Sequence, residues 1–190
     1  MIETVKMPAI SCGHFYFQGG RFVTYNRACS FIVLVRTLMQ ISQLNQTPLA
    51  KFRDLFAGLK IPDASSIRGK YRASFVGPAW LRTSAAPALS LSGLGGWWGK
   101  EFREDGTAIN IVLRTGVFST RFPMMFVRAR SFIDGRDGLA LHYQAGNPFP
   151  WMYVVDEVRN LDEATLLGMT IANVHGLRGM AFPFILQKVD

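Results

Sequence analysis

Two adjacent tryptophans held between glycines, in Gly95-Gly-Trp-Trp-Gly-Lys-Glu-Phe102, constrain this chain more than any other feature. Side chains on a strand point alternately to its two faces, so neighbouring tryptophans put large aromatic surface on both sides of a sheet. Such a strand needs cover on each face, and a small closed sheet with an apolar interior supplies it. From Arg68 onward the period-two pattern continues almost to the C-terminus. Strands are expected over Arg68–Val76, Gly95–Arg103, Thr107–Arg114, Met124–Ile133, Leu139–Gln144, Met152–Arg159, Thr165–Asn173 and Met180–Lys188. Turn signals separate several of them: Glu104-Asp-Gly106, Asp134-Gly135, Arg136-Asp-Gly138 and Asn160-Leu-Asp162. About eight strands with short connections form an antiparallel meander, and closing it into a barrel removes its exposed edges. The fold class is therefore mainly β, an up-and-down barrel. The stretch from Leu81 to Gly95, rich in Ser, Ala, Pro and Gly, reads as a loop longer than a barrel needs, either a lid or a tolerated insertion.

Ahead of the strands, Thr47-Pro48 marks a helix start, with threonine as N-cap and proline at the first helical position. Leu49, Phe52, Leu55, Phe56 and Leu59 follow at helical spacing, and Gly58, Lys60 and Pro62 mark the stop. The result is one packing helix over 48–59 with a single apolar stripe. Residues 1–38 carry aromatics without a clean period and read as a poorly patterned extension, leaving 39–190 as the barrel domain.

Bulk properties narrow the function. The 190 residues suffice for one domain with a real core, and 49% hydrophobic with 18% charged residues argues against extended disorder. The net charge of +8 is concentrated in the first 60 residues, so a nucleic-acid partner is disfavoured for the strand-rich region. Basic and aromatic residues do mingle in Phe15 to Arg27 and Lys70 to Arg82, but their alternation inside strands is that of a core. The longest apolar run, Ser30-Phe-Ile-Val-Leu-Val35, is flanked by Arg27 and Arg36 and is too short for a membrane span. Cys12 and Cys29 are too few for a disulfide framework and point to a reducing, cytoplasmic location. Cys12-Gly-His14 offers two neighbouring ligands, short of a closed tetrahedral metal site, so no metal is expected.

Several residues together resemble a known family. A helix ending in Leu55-Phe56 and Leu59, then Pro62, then Gly69-Lys-Tyr-Arg-Ala73, is similar to the opening of the GXWXG-type, lipocalin-like (calycin-like) small barrels of unknown function. Tyr71 and Ala73 stand where that motif has tryptophan and glycine. Gly96-Trp-Trp-Gly-Lys-Glu-Phe102 resembles the family's next strand, and Asp162-Glu-Ala-Thr-Leu-Leu-Gly-Met169 with Pro183-Phe-Ile-Leu-Gln-Lys188 resembles its closing pair. The resemblance covers roughly residues 48–188. It implies a lipocalin-like barrel and supplies no reaction.

An eight-stranded barrel is wide enough to be filled by its side chains or to hold one small ligand. The leading expectation is a small, largely apolar ligand, lined by Tyr71, Trp98, His142, Tyr143 and Tyr153. Arg128 and Arg130 would fix an anionic end if their face of the strand turned inward. The second expectation is an isomerase, cyclase or lyase using the same cavity, with His142 or an inward carboxylate, Glu157, as general acid/base. Asp156 and Glu157 are strand neighbours and face opposite ways, so they form no carboxylate pair. His175, in the Asn173-Val-His-Gly176 turn, is a candidate axial ligand for haem at a barrel mouth. The third expectation is an interaction module, and the sequence leaves a homo-oligomer open.

Overall fold

The computed structural model describes residues 41–189. Eight antiparallel strands follow one another around a closed barrel: β1 (Gly69–Phe75), β2 (Trp97–Phe102), β3 (Thr107–Arg114), β4 (Val117–Arg130), β5 (Asp137–Tyr143), β6 (Val154–Asn160), β7 (Thr165–Ala172) and β8 (Ala181–Lys188). β8 pairs back onto β1, from Tyr71 opposite Lys188 to Phe75 opposite Phe184. The barrel expected from the alternation is present, and so is its strand count. The upper end is defined here as the one where β1 finishes and β2 begins.

Two departures from the expected elements matter. β4 starts at Val117, seven residues before the expected Met124, because Pro123 and the bulge beside it interrupt the alternation. The expected loop Leu81 to Gly95 is instead helical over Ala79–Leu89 (α2 below), followed by a wide turn, Ser90–Leu94, that Gly93 ends at φ +86°. Alanines 79, 85, 86 and 88 favour the helix. The hydroxyls of Thr83 and Ser84 turn back to carbonyls of the preceding turn, so their polarity does not compete with it. Small polar residues at these positions look like loop chemistry in a sequence.

The packing helix, α1, spans Lys51–Gly58, three residues shorter at its start than expected. Thr47 does not cap it, since its hydroxyl donates to the Gln43 carbonyl of the helical segment 41–46. The apolar stripe is as read: Phe52 and Phe56 are fully buried, against Leu167, Met169, Ile171 and Ile185 on the outer barrel face. Beneath α1 the buried guanidinium of Arg159 lies 4.7 Å from the Phe56 ring centre and 3.5 Å from Asp134 Oδ1. Its space exists because Gly138 has no Cβ. The poorly patterned segment 1–38, with Cys12, His14 and Cys29, lies outside the described residues.

The barrel interior is divided along its axis. The lower half is solid: Tyr71, Phe102 and Phe126 pack edge to face at 5.2 and 5.1 Å, surrounded by Ile67, Leu139, Val158 and Leu166. The upper half is not filled.

Candidate functional site

Two bulges build the upper half. Along β2 the register slips between Trp97, opposite Val112, and Gly99, opposite Ile111. Trp98 and Gly99 therefore share the outer side, and both Trp97 and Lys100 turn inward, which strict alternation forbids for residues three apart. Glycine is required at 99 because a Cβ there would overlap the Tyr71 carbonyl oxygen. On β4 the register slips between Pro123 and Arg121, leaving Phe122 at φ +56°. That is an uncommon backbone for a bulky residue. It turns the Phe122 ring onto Trp151, at 5.5 Å and 28°, and directs the Phe122 carbonyl toward the Asn110 amide.

Above the solid core lies a cavity of about 380 Å³. Its walls are Phe75, Trp97, Phe182 and Phe184 from the barrel and Leu81, Ala85 and Leu89 from α2, which bridges the upper end. Trp80, 57% exposed, stands at its opening. The indole of Trp151 donates to the Ser92 carbonyl at 2.7 Å, tying the turn after α2 to the β5–β6 connection.

The floor is polar and charged. Lys100 is 1% exposed, and its ammonium lies 2.9 Å from Asp156 Oδ2 and 2.9 Å from Asn110 Oδ1, with the Tyr143 hydroxyl at 3.2 Å. Trp97 Nε1 donates to Asn110 Oδ1 at 3.1 Å, and Asn110 Nδ2 donates to the Tyr143 oxygen at 3.2 Å. Tyr143 donates to Asp156 Oδ2 at 3.3 Å, and Thr170 donates to Asp156 Oδ1 at 2.6 Å. Burial drives the Lys100 amine below its ordinary range, while the charge of Asp156 acts to hold the proton on. Burial, reinforced by the Asp156 charge, pushes the Tyr143 phenol well above 10.0. Every donor in the cluster has an acceptor inside it, so this costly arrangement is closed.

Most of the expected lining residues lie elsewhere. Tyr143 is the one of them that lines the cavity. Tyr71 points inward but belongs to the solid lower core, 4% exposed. Trp98 points outward, against Phe118 at 5.4 Å and beneath the Arg72 guanidinium, because the bulge hands the interior to Trp97. His142 lies on the outer face with Met125 and Val155 beside it, opposite in direction to Leu141 and Tyr143. Tyr153 is 45% exposed, in the turn before β6, packed on Phe149. Arg128 and Arg130 do share the inward-facing alternation of Met124 and Phe126, yet both sit at the lower end and are exposed to solvent. They are separated from the cavity by the packed core. Arg130 donates to the Gly135 carbonyl.

The catalytic candidates fare the same way. Glu157 is buried on the outer side, where Ser131 Oγ and the Phe132 amide donate to its carboxylate. Burial raises its carboxyl above the usual range despite those bonds. The inward carboxylate is Asp156. His175 is exposed in the β7–β8 turn and lines no part of the cavity. Among the described residues no group of three His, Cys, Asp or Glu is placed to hold a metal ion.

Lys100, Asn110, Asp156 and Thr170 were not expected as site residues. A usable signal existed in Val154-Val-Asp-Glu-Val158, where Asp156 shares a face with Val154 and Val158. Charged residues alternating with valine on a strand buried on both sides must each find a partner.

No family model matches the chain, and no curated protein matches it. The fold has a counterpart among solved structures. The crystal structure of a protein from Thermomonospora curvata is similar over 82% of this chain and 97% of that one, with a TM-score of 0.62 and 16% identity. At that identity the likeness is one of fold. No helix among the described residues is long and apolar enough to cross a membrane.

Proposed function

We propose that this protein binds a small, largely apolar molecule in the upper half of the barrel, and that it is a lipocalin-like barrel of the GXWXG type. The observation that carries the binding reading is the division of the interior. A chain with this many aromatic residues had the means to fill the whole barrel, and it fills only the lower half. Apolar walls over a few convergent polar groups are what a ligand site requires, and about 380 Å³ is within the range of such sites. The test is extraction of freshly purified, heat-denatured protein followed by mass spectrometry. A stoichiometric apolar compound released on denaturation supports the reading. Protein that is ligand-free and gains no thermal stability from any apolar compound refutes it.

An enzyme working in the same cavity is the second reading, favoured by one observation: an inward carboxylate, Asp156, stands beside an amine whose proton is held loosely by desolvation. That would suit proton transfer in an isomerase, cyclase or lyase. His142 and Glu157 have no part in it, since both face away from the cavity. Chemical change of the bound compound over time, absent in Asp156→Asn, distinguishes this from simple binding.

A further inference from the structure

We infer that the cavity selects an uncharged apolar molecule ending in a hydroxyl, such as a fatty or terpenoid alcohol, and rejects the matching carboxylate. This rests on the binding reading above and names its ligand class.

The floor carries one positive and one negative group 2.9 Å apart, so it presents no net charge to a ligand. A carboxylate entering the cavity would leave water and meet Asp156 at close range, with Lys100 already committed. The hydrogen-bond inventory gives the same answer independently. The three ammonium protons of Lys100 are directed at Asp156, Asn110 and Tyr143, the last shared with Met124 Sδ at 3.4 Å. The hydroxyls of Tyr143 and Thr170 both donate to Asp156. No donor remains for a carboxylate oxygen.

Acceptor capacity does remain. A carboxylate offers about four lone-pair sites and a hydroxyl two. Asp156 uses two on Oδ2, for Lys100 and Tyr143, and one on Oδ1, for Thr170. A fourth site on Oδ1 and the lone pairs of Thr170 Oγ1 are unused, and both residues line the cavity. A ligand group that donates one hydrogen bond completes the set. An alcohol does this, and a carboxylate cannot.

The experiment is isothermal titration of the wild-type protein with 1-decanol and with decanoate at pH 8, where decanoate is fully ionised. The expected result is that decanol binds at least tenfold more tightly. In Asp156→Asn, with folding checked by circular dichroism, the floor loses its negative charge and the order should narrow at least fivefold or reverse. Equal or tighter binding of decanoate by the wild type overturns the inference while leaving the binding reading intact. Decanol preference that Asp156→Asn leaves unchanged also overturns it, because selection would then not come from the floor. Should Asp156→Asn fail to fold, the wild-type pair decides alone. Binding of neither compound defeats the inference together with the reading beneath it.

Discussion

Replacing Lys100 by methionine removes the positive half of the buried floor and keeps a side chain of similar length. Asp156, 2% exposed, would keep its bonds to Thr170 and Tyr143 but lose the ammonium 2.9 Å away. Breaking a buried pair by deleting one partner costs about 3–5 kcal/mol, since an uncompensated charge stays in a medium that solvates it poorly. A domain of this size holds roughly 5–15 kcal/mol in total, so the variant should fold. At about 2–4 °C per kcal/mol its melting midpoint should fall by roughly 6–20 °C. Asp156→Asn should cost less, because the Lys100 amine, already pressed downward by burial, can shed its proton and become neutral. The double variant Lys100→Met, Asp156→Asn buries no charge, and its loss should undershoot the sum of the singles by at least about 2 kcal/mol. Urea denaturation of the four proteins at pH 7, with unchanged m-values, measures this coupling. If Lys100→Met costs under about 1 kcal/mol, as an exposed ion pair would, or if the singles add to within about 0.5 kcal/mol, the dry charged floor is refuted.

Gly99→Ala should give an insoluble protein or one with the largest loss of stability in the set, because its Cβ meets the Tyr71 backbone rather than a movable side chain. A melting curve like that of wild type would mean the β2 bulge is misplaced. Trp97→Phe should reduce the change in tryptophan emission on adding an apolar ligand, the remainder coming from Trp80 and Trp151 on the same cavity, and Trp98→Phe should leave it nearly intact, as measured by fluorescence titration of each variant. Burial depresses the His142 imidazole below 6.5, so its contribution to stability is present above pH 6.5 and lost as the pH falls through its folded value. His142→Gln should flatten the fall in melting midpoint between about pH 6.5 and 5; an unchanged slope would contradict the burial.

The barrel was legible because its evidence is repeated: eight segments, each with period-two patterning and several followed by a turn signal, leave few other ways to bury both faces. The site was less legible because it depends on exceptions to that rule. Strict alternation groups Trp98 with Lys100 and Phe102, and a single bulge at Trp98–Gly99 moves Trp97 to their side instead. Glu157 reads as the inward carboxylate in place of Asp156 because β6 is buried on both faces, one by the barrel contents and the other by the Ser131–Phe132 segment. His142 drew attention as a titratable group beside Tyr143, yet adjacency on a strand is what separates them. The arginines of β4 were on the right face at the wrong height, a coordinate that alternation does not encode. The bridging segment hid its helix behind Ser, Pro and Gly, and residues of that helix line the cavity.

The most direct test of the account is titration with the neutral dye N-phenyl-1-naphthylamine, comparing wild type with Ala85→Trp. Ala85 lines the cavity from α2, so an indole there enters empty space and should leave the melting midpoint within a few degrees. Saturable, one-to-one binding to the native wild type is expected, with a loss of at least tenfold in affinity in Ala85→Trp. Dye that binds both proteins equally, or that binds only as they unfold, would show that the upper half of the barrel is not a ligand site.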